Sequence, residues 1–169
     1  MTLVRQGDAP AVSELRVLEV YQTSRFEEAL GQDVRIIDNH SGPAPVTRTF
    51  KASREWTRTL SVAEQGRRAA TGEAGVNLLW LSTKTGIEQE LQRNLSLAIG
   101  ATHLFEEEIT VTVPERTAVQ VVLAWKRIWQ QGHARIVLPD GSNHDVPYQV
   151  VVSVTFDQRI ETTNPQAGP

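Results

Sequence analysis

Residues 46–62 read VTRTFKASREWTRTLSV, and this stretch decides the fold. One set of alternate positions carries Val46, Arg48, Phe50, Ala52, Arg54, Trp56, Arg58, Leu60 and Val62. The other set carries Thr47, Thr49, Lys51, Ser53, Glu55, Thr57, Thr59 and Ser61. Successive side chains of a β-strand point to opposite faces, so a period of two marks a strand with one wet face. At about 3.3 Å per residue the stretch reaches roughly 55 Å. Ordinary strands run to about five or six residues. A strand this long must pass through more than one ordinary sheet or project from one.

Downstream, residues 87–113 repeat the pattern. Ile87, Leu91, Leu95, Leu97, Ile99, Phe105, Ile109, Val111 and Val113 occupy odd positions, and the even positions are mostly polar or small. For residues 87–99 a helix competes: Ile87, Leu91, Leu95 and Ile99 are four apart, Thr85 and Glu88 have capping-box spacing, and Gly100 suits a C-cap. Residues 101–113 read as strand. Pro114 and Glu115 turn the chain, and residues 118–129 are apolar on both faces, as a central strand is. A turn is expected at 130–132, a strand at 133–138, a turn at Pro139-Asp140-Gly141-Ser142 and a last strand at 146–156.

Upstream, residues 11–30 suggest a helical start. Leu15, Leu18 and Tyr21 share a helical face, and Ser24 with Glu27 has capping-box spacing ahead of Leu30 and Gly31. A short strand at 34–38 and a polar turn from Asn39 lead into residue 46. The expected fold class is therefore mainly β: an elongated, twisted antiparallel sheet of long strands with a short helical N-terminal segment. Its expected parts are a partly helical segment 1–32, a long-strand β domain 33–160 and a structureless tail 161–169.

The composition narrows the function. The chain has 169 residues, a net charge of -3 and no cysteine, so disulfide and thiolate chemistry are excluded. Its acidic balance offers no basic face for nucleic acid. The start shows no basic stretch followed by an apolar run, and no segment is long enough for a spanning helix. The expectation is a soluble protein, cytoplasmic or released without a classical leader. Chemical motifs are equally sparse. There is no phosphate loop and no nucleophile elbow. His40, His103, His133 and His144 lie in different segments without metal-ligand spacing. Asp140, Asn143 and Asp145 lack the ligand spacing and terminal Glu of a calcium loop, and Glu106, Glu107 and Glu108 alternate between faces of a strand. The reading is a non-enzyme without cofactor, metal or catalytic residues.

The pieces resemble a known family. Asn39-His40-Ser41-Gly42, the Ser/Thr-alternating run from Val46 through Thr57, Ala74-Gly75-Val76, and above all Val113-Pro114-Glu115-Arg116-Thr117-Ala118-Val119-Gln120-Val121 are similar to the aerolysin/natterin-like β-pore-forming proteins. The resemblance covers roughly residues 34–156 and rests on long strands and turns. It implies a homo-oligomer whose segment between the two long strands, here residues 63–86, rebuilds as a barrel. It also favours strand over helix for residues 87–99. On this reading Val76, Leu78, Leu79, Trp80 and Leu81 are the candidate membrane-insertion residues, since aromatic rings favour the bilayer interface. Thr47, Thr49, Ser53, Thr57, Thr59 and Ser61 form the candidate barrel-lumen face. The opposite face carries Arg48, Arg54, Arg58 and Arg93. Arginine on a lipid face near the midplane costs about 2–4 kcal/mol, which places any lipid-spanning part nearer Trp80. The expected partners are copies of the chain and a lipid membrane or another protein. The alternative is a structural or interaction module that assembles through its long strands without touching membrane.

Overall fold

The computed structural model describes residues 14–62 and 76–163, with side chains in the second stretch described from residue 80. Among the described residues six strands and one helix follow in order: β1 (Arg16–Asp38), β2 (Val46–Thr57), β3 (Leu60–Val62), α1 (Val76–Leu95), β4 (Thr102–Val113), β5 (Ala118–Val137) and β6 (Asn143–Thr163). A four-stranded sheet has the order β1-β5-β6-β3, and β2 pairs with β4 in a second sheet. All pairings are antiparallel. The fold is mainly β, as the alternation predicts. At about 3.3 Å per residue, β5 alone reaches roughly 65 Å.

The central strand explains the layout. Register shifts put extra residues into β1 and β6, and none into β5. β5 therefore alternates without interruption, and its odd and even residues face opposite sides. Val119, Val121, Leu123 and Trp125 are buried together with Ala52, Ile109, Val111 and Val113 of the β2–β4 sheet. Ala134 and Ile136 are buried with Ile87 and Leu91 of α1 and with Val146, Tyr148 and Val150 of β6. The second sheet thus covers one face at one end, and the helix covers the other face at the other end. The chain passes between them around the edge of β6. Arg58 and Thr59 leave β2, and Leu60–Val62 pairs with β6 as β3. The single long strand expected over 46–62 is thus divided between two sheets, because the break at Arg58 lets Leu60 reach the second core.

Two tight turns close the end near β2. Asn39, buried, donates from Nδ2 to the carbonyls of Ala44 (3.0 Å) and Pro114 (2.8 Å), and its N–H donates to the Thr117 carbonyl (2.8 Å). The expected turn at 139–142 forms. The Leu138 N–H donates to Ser142 O (2.9 Å), and the Ser142 N–H donates to Asp140 Oδ1 (2.8 Å).

Four expectations need correction. The N-terminal helix is strand β1, and the helix lies mid-chain. Ser24 does not cap a helix; its hydroxyl donates to Gln131 Oε1 (2.7 Å). Three bulges in β1, near Leu18, Thr23 and Gly31, break the period-two pattern and leave spacings that mimic a helix. Second, residues 87–95 are helical rather than strand. The helix ends where Ser96 adopts φ 54°, so the cap is Ser96 rather than Gly100. Third, residues 130–132 do not turn. They lie within β5, where buried Gln130 donates to the carbonyl of Ser24 (2.8 Å), beside the residue-23 bulge, and to Gln131 O (3.0 Å). Fourth, residues 161–163, expected in the structureless tail, belong to β6, which continues to Thr163 opposite Ala118; residues 164–169 lie outside the described residues. The boundary expected between residues 32 and 33 falls within β1.

Gly132 is a strand glycine because the backbone and a ring approach it closely. A Cβ there collides with the Tyr21 carbonyl and the Tyr148 ring. Gly132→Ala is therefore expected to destabilise the fold by about 1–3 kcal/mol, seen as a lower midpoint in chemical denaturation.

Candidate membrane-insertion segment

The β2–β4 sheet pairs in unbroken register from Val46↔Val113 to Thr57↔Thr102. Its outer face is hydroxyl-rich and exposed. The Oγ1 atoms of Thr47 and Thr112 lie 3.1 Å apart, and those of Thr49 and Thr110 3.0 Å apart; such cross-strand pairs support a wet face. Of the six candidate lumen residues, Thr47, Thr49, Ser53 and Thr57 share this face. Thr59 lies in the link, and Ser61 sits on β3 opposite Gln149. The structure therefore does not place all six in one sheet.

The inner face is protein core. Trp125 meets Phe105 edge-on at 5.7 Å and Phe156 at 5.0 Å. Two of the arginines that counted against a lipid-facing wall lie over rings. The Arg54 guanidinium is 5.1 Å from the Trp125 ring, and that of Arg58 is 5.6 Å from Trp56. Arg48 is exposed.

Beyond Thr57 the ladder continues for one more step. The Arg58 N–H donates to Ala101 O (2.9 Å), and the Gly100 N–H donates to Arg58 O (2.8 Å). The chain between these points leaves the β2–β4 sheet and straps α1 across the other face. Ile87 and Leu91 are fully buried there, Thr83 is buried, and Leu95, Leu97 and Ile99 pack at the margin. Gly86 brings the helix against β1, because a Cβ at that position comes within 2.7 Å of Val17 Cγ2. The outward side carries Ser82, Thr85, Gln89, Gln92, Arg93 and Asn94, with Glu90 holding Arg93 (2.9 Å) and Asn94 (2.6 Å). No helix of the described residues is long and apolar enough to cross a membrane.

Of the candidate insertion residues, all five lie on α1. Leu81 is 60% exposed and Trp80 is half-buried; the side chains of Val76, Leu78 and Leu79 lie outside the described residues. Residues 63–75 of the expected insertion segment also lie outside them. Sequence reading assigned no anchoring role to Thr83, Ile87 and Leu91. Their spacing of four was the available signal.

No family model and no curated protein sequence matches the chain. Solved structures resemble it. A candidate pore-forming toxin of Bacteroides vulgatus aligns over 89% of this chain and 58% of its own, with a TM-score of 0.48 and 11% identity. Lamprey immune protein aligns over 89% of this chain and 54% of its own, with a TM-score of 0.42 and 12% identity. The chain thus spans little more than half the length of either. An aerolysin-like protein of Bombina maxima aligns over 89% of this chain and 97% of its own, with a TM-score of 0.34 and 14% identity.

Proposed function

We propose that this protein acts by assembly on a membrane rather than by catalysis, and that it does so by releasing α1 and extending the β2–β4 pair through residues 58–101. The register supports the reading. Pairing partners in β2 and β4 sum to 159 (46 and 113; 57 and 102). Continued without a shift, Leu60 meets Ile99, Val62 meets Leu97, and the two arms close at Leu79 and Trp80. The apolar candidates 76–81 then form the tip of a hairpin.

The sequence of the return arm suits both states. Ile87, Leu91 and Leu95 are four apart, so they share a face in a helix and also in a strand. In the extended register Leu81, Ile87, Leu91, Leu95, Leu97 and Ile99 lie on one face, with Thr83, Thr85, Gln89 and Arg93 among them. The other face carries Ser82, Lys84, Gly86, Glu88, Glu90, Gln92, Asn94, Ser96, Ala98 and Gly100, with no large apolar side chain. A hairpin in lipid needs every backbone group paired, which only a closed barrel of several copies provides. A spanning strand takes about 9–11 residues. Arg93 limits the lipid-spanning part to the Trp80 side, which leaves residues 81–91.

The test is dye release from liposomes alongside the mass of the assembly. Leu79→Asp with Trp80→Asp is expected to lower release at least tenfold, because carboxylates at the tip resist entry into lipid, while circular dichroism keeps the β spectrum. Release unchanged in the double variant overturns the tip assignment. An assembly that forms equally with and without lipid, and leaves vesicles intact, favours the module that only self-assembles.

A further inference from the structure

Beyond the reach of the β2–β4 sheet, no described residue of another element covers the face of the long sheet that carries Trp125. The register lays three rows across it. Phe26 lies opposite Trp129, Ser24 opposite Gln131 and then Gln149 and Ser61, and Tyr21 opposite His133 and then Pro147. The outer rows hold stacked rings: Phe26 and Trp129 at 6.1 Å and 4°, Tyr21 and His133 at 5.7 Å and 21°. The middle row is made of amides and hydroxyls.

A cavity of about 230 Å³ opens in this middle row, lined among others by Thr23, Ser61, Gln131, His133 and Gln149. Three local features build it. The bulge between Gln22 and Ser24 leaves Thr23 unpaired at its wall, as bulges re-aim side chains. Gly132 adds no side chain there, and it and Tyr148 also line the cavity. Ser24 holds the Gln131 amide by its oxygen at 2.7 Å, so its Nε2 is the group left to donate. His133, which also lines the cavity, has its Nδ1 buried without a hydrogen-bond partner among the described residues.

We propose that this cavity binds one neutral sugar ring. Amides and hydroxyls both donate and accept, which matches a rim of hydroxyl groups, and the flanking ring stacks offer apolar faces for C–H groups. The cavity is smaller than the roughly 300–1,000 Å³ of sites for drug-sized ligands, so it takes a single ring. The charges around it are already matched. Arg135 pairs with Asp145 (3.3 Å) and Glu19 (3.7 Å), and Arg127 pairs with Glu28 (3.2 Å). That arrangement argues against a phosphate or carboxylate ligand. The proposal is independent of the hairpin and of any pore.

The experiment is an amide-proton NMR titration of the full chain with methyl α-glucoside, methyl α-mannoside, methyl β-galactoside and N-acetylglucosamine, with inorganic phosphate as the charged probe. At least one sugar is expected to give saturable shifts confined to residues 23–24, 61, 131–133 and 147–149 and to the Gln131 and Gln149 side-chain amides. Gln131→Ala with Gln149→Ala is expected to weaken that binding at least tenfold; Gln149→Ala alone serves if the double variant loses its dispersed spectrum. No saturable shift with any sugar, unchanged affinity in the variants, or preferential binding of phosphate overturns the proposal.

Discussion

Val17→Cys with Gly86→Cys is expected to form a disulfide and to hold α1 on the sheet, so that liposome release falls at least tenfold under oxidising conditions and returns on addition of reductant. The geometry allows it. A Cβ at residue 86 lies 3.8 Å from the Val17 Cβ, and disulfide-bonded Cβ atoms average about 3.8 Å apart. The chain has no other cysteine to compete. The bond closes a long loop and is expected to add about 2–4 kcal/mol of stability, so lost release cannot be ascribed to unfolding. Non-reducing electrophoresis reports the bond and dye release reports the function. A locked protein that releases dye as fast as the reduced one shows that α1 does not need to leave.

Trp125→Ala is expected to be the most destabilising single substitution among the aromatic residues. Trp125 is 2% exposed, and its Nε1 donates to Asp33 Oδ2 at 2.7 Å. It also joins β4, β5 and β6 through Phe105 and Phe156. Removing such a ring costs about 3–5 kcal/mol, against a total of about 5–15 kcal/mol for a typical domain. The truncation also leaves Asp33 without its indole donor. Urea denaturation followed by circular dichroism measures the effect. Trp129→Ala, half-buried and stacked on Phe26, is expected to cost less than half as much. Equal costs for the two would mean that the core around Trp125 is not the principal anchor of the β2–β4 sheet.

Much of the architecture was legible from the chain alone. The alternation over 46–57 and 101–113 identified both strands of the second sheet and their wet faces, because a period of two needs no tertiary partner to be recognised. The turns at Asn39, Pro114 and Asp140 were equally plain, since they depend on local side-chain chemistry. Of strand β1 only the end, residues 34–38, was legible. Its bulges interrupt the alternation, and the bonds that make it a strand come from β5, about a hundred residues later. Residues 130–132 read as a turn for a similar reason. Glycine beside glutamine suggests a loop until the Tyr148 ring is seen beneath Gly132.

Residues 87–99 mark the boundary between the two kinds of information. Ile87, Leu91 and Leu95 fit one face of a helix and one face of a strand, so local sequence cannot choose. The choice is made by burial: as a helix, Ile87 and Leu91 are buried in one core with Ala134 and Ile136 of β5 and Tyr148 of β6. The amino-acid sequence by itself determined a β protein of long strands, with an apolar cluster midway between two amphipathic strands. Only the tertiary structure decided that this cluster lies on a helix strapped across the opposite face, because that placement depends on the uninterrupted alternation of β5 and on a second core formed by residues distant in the chain.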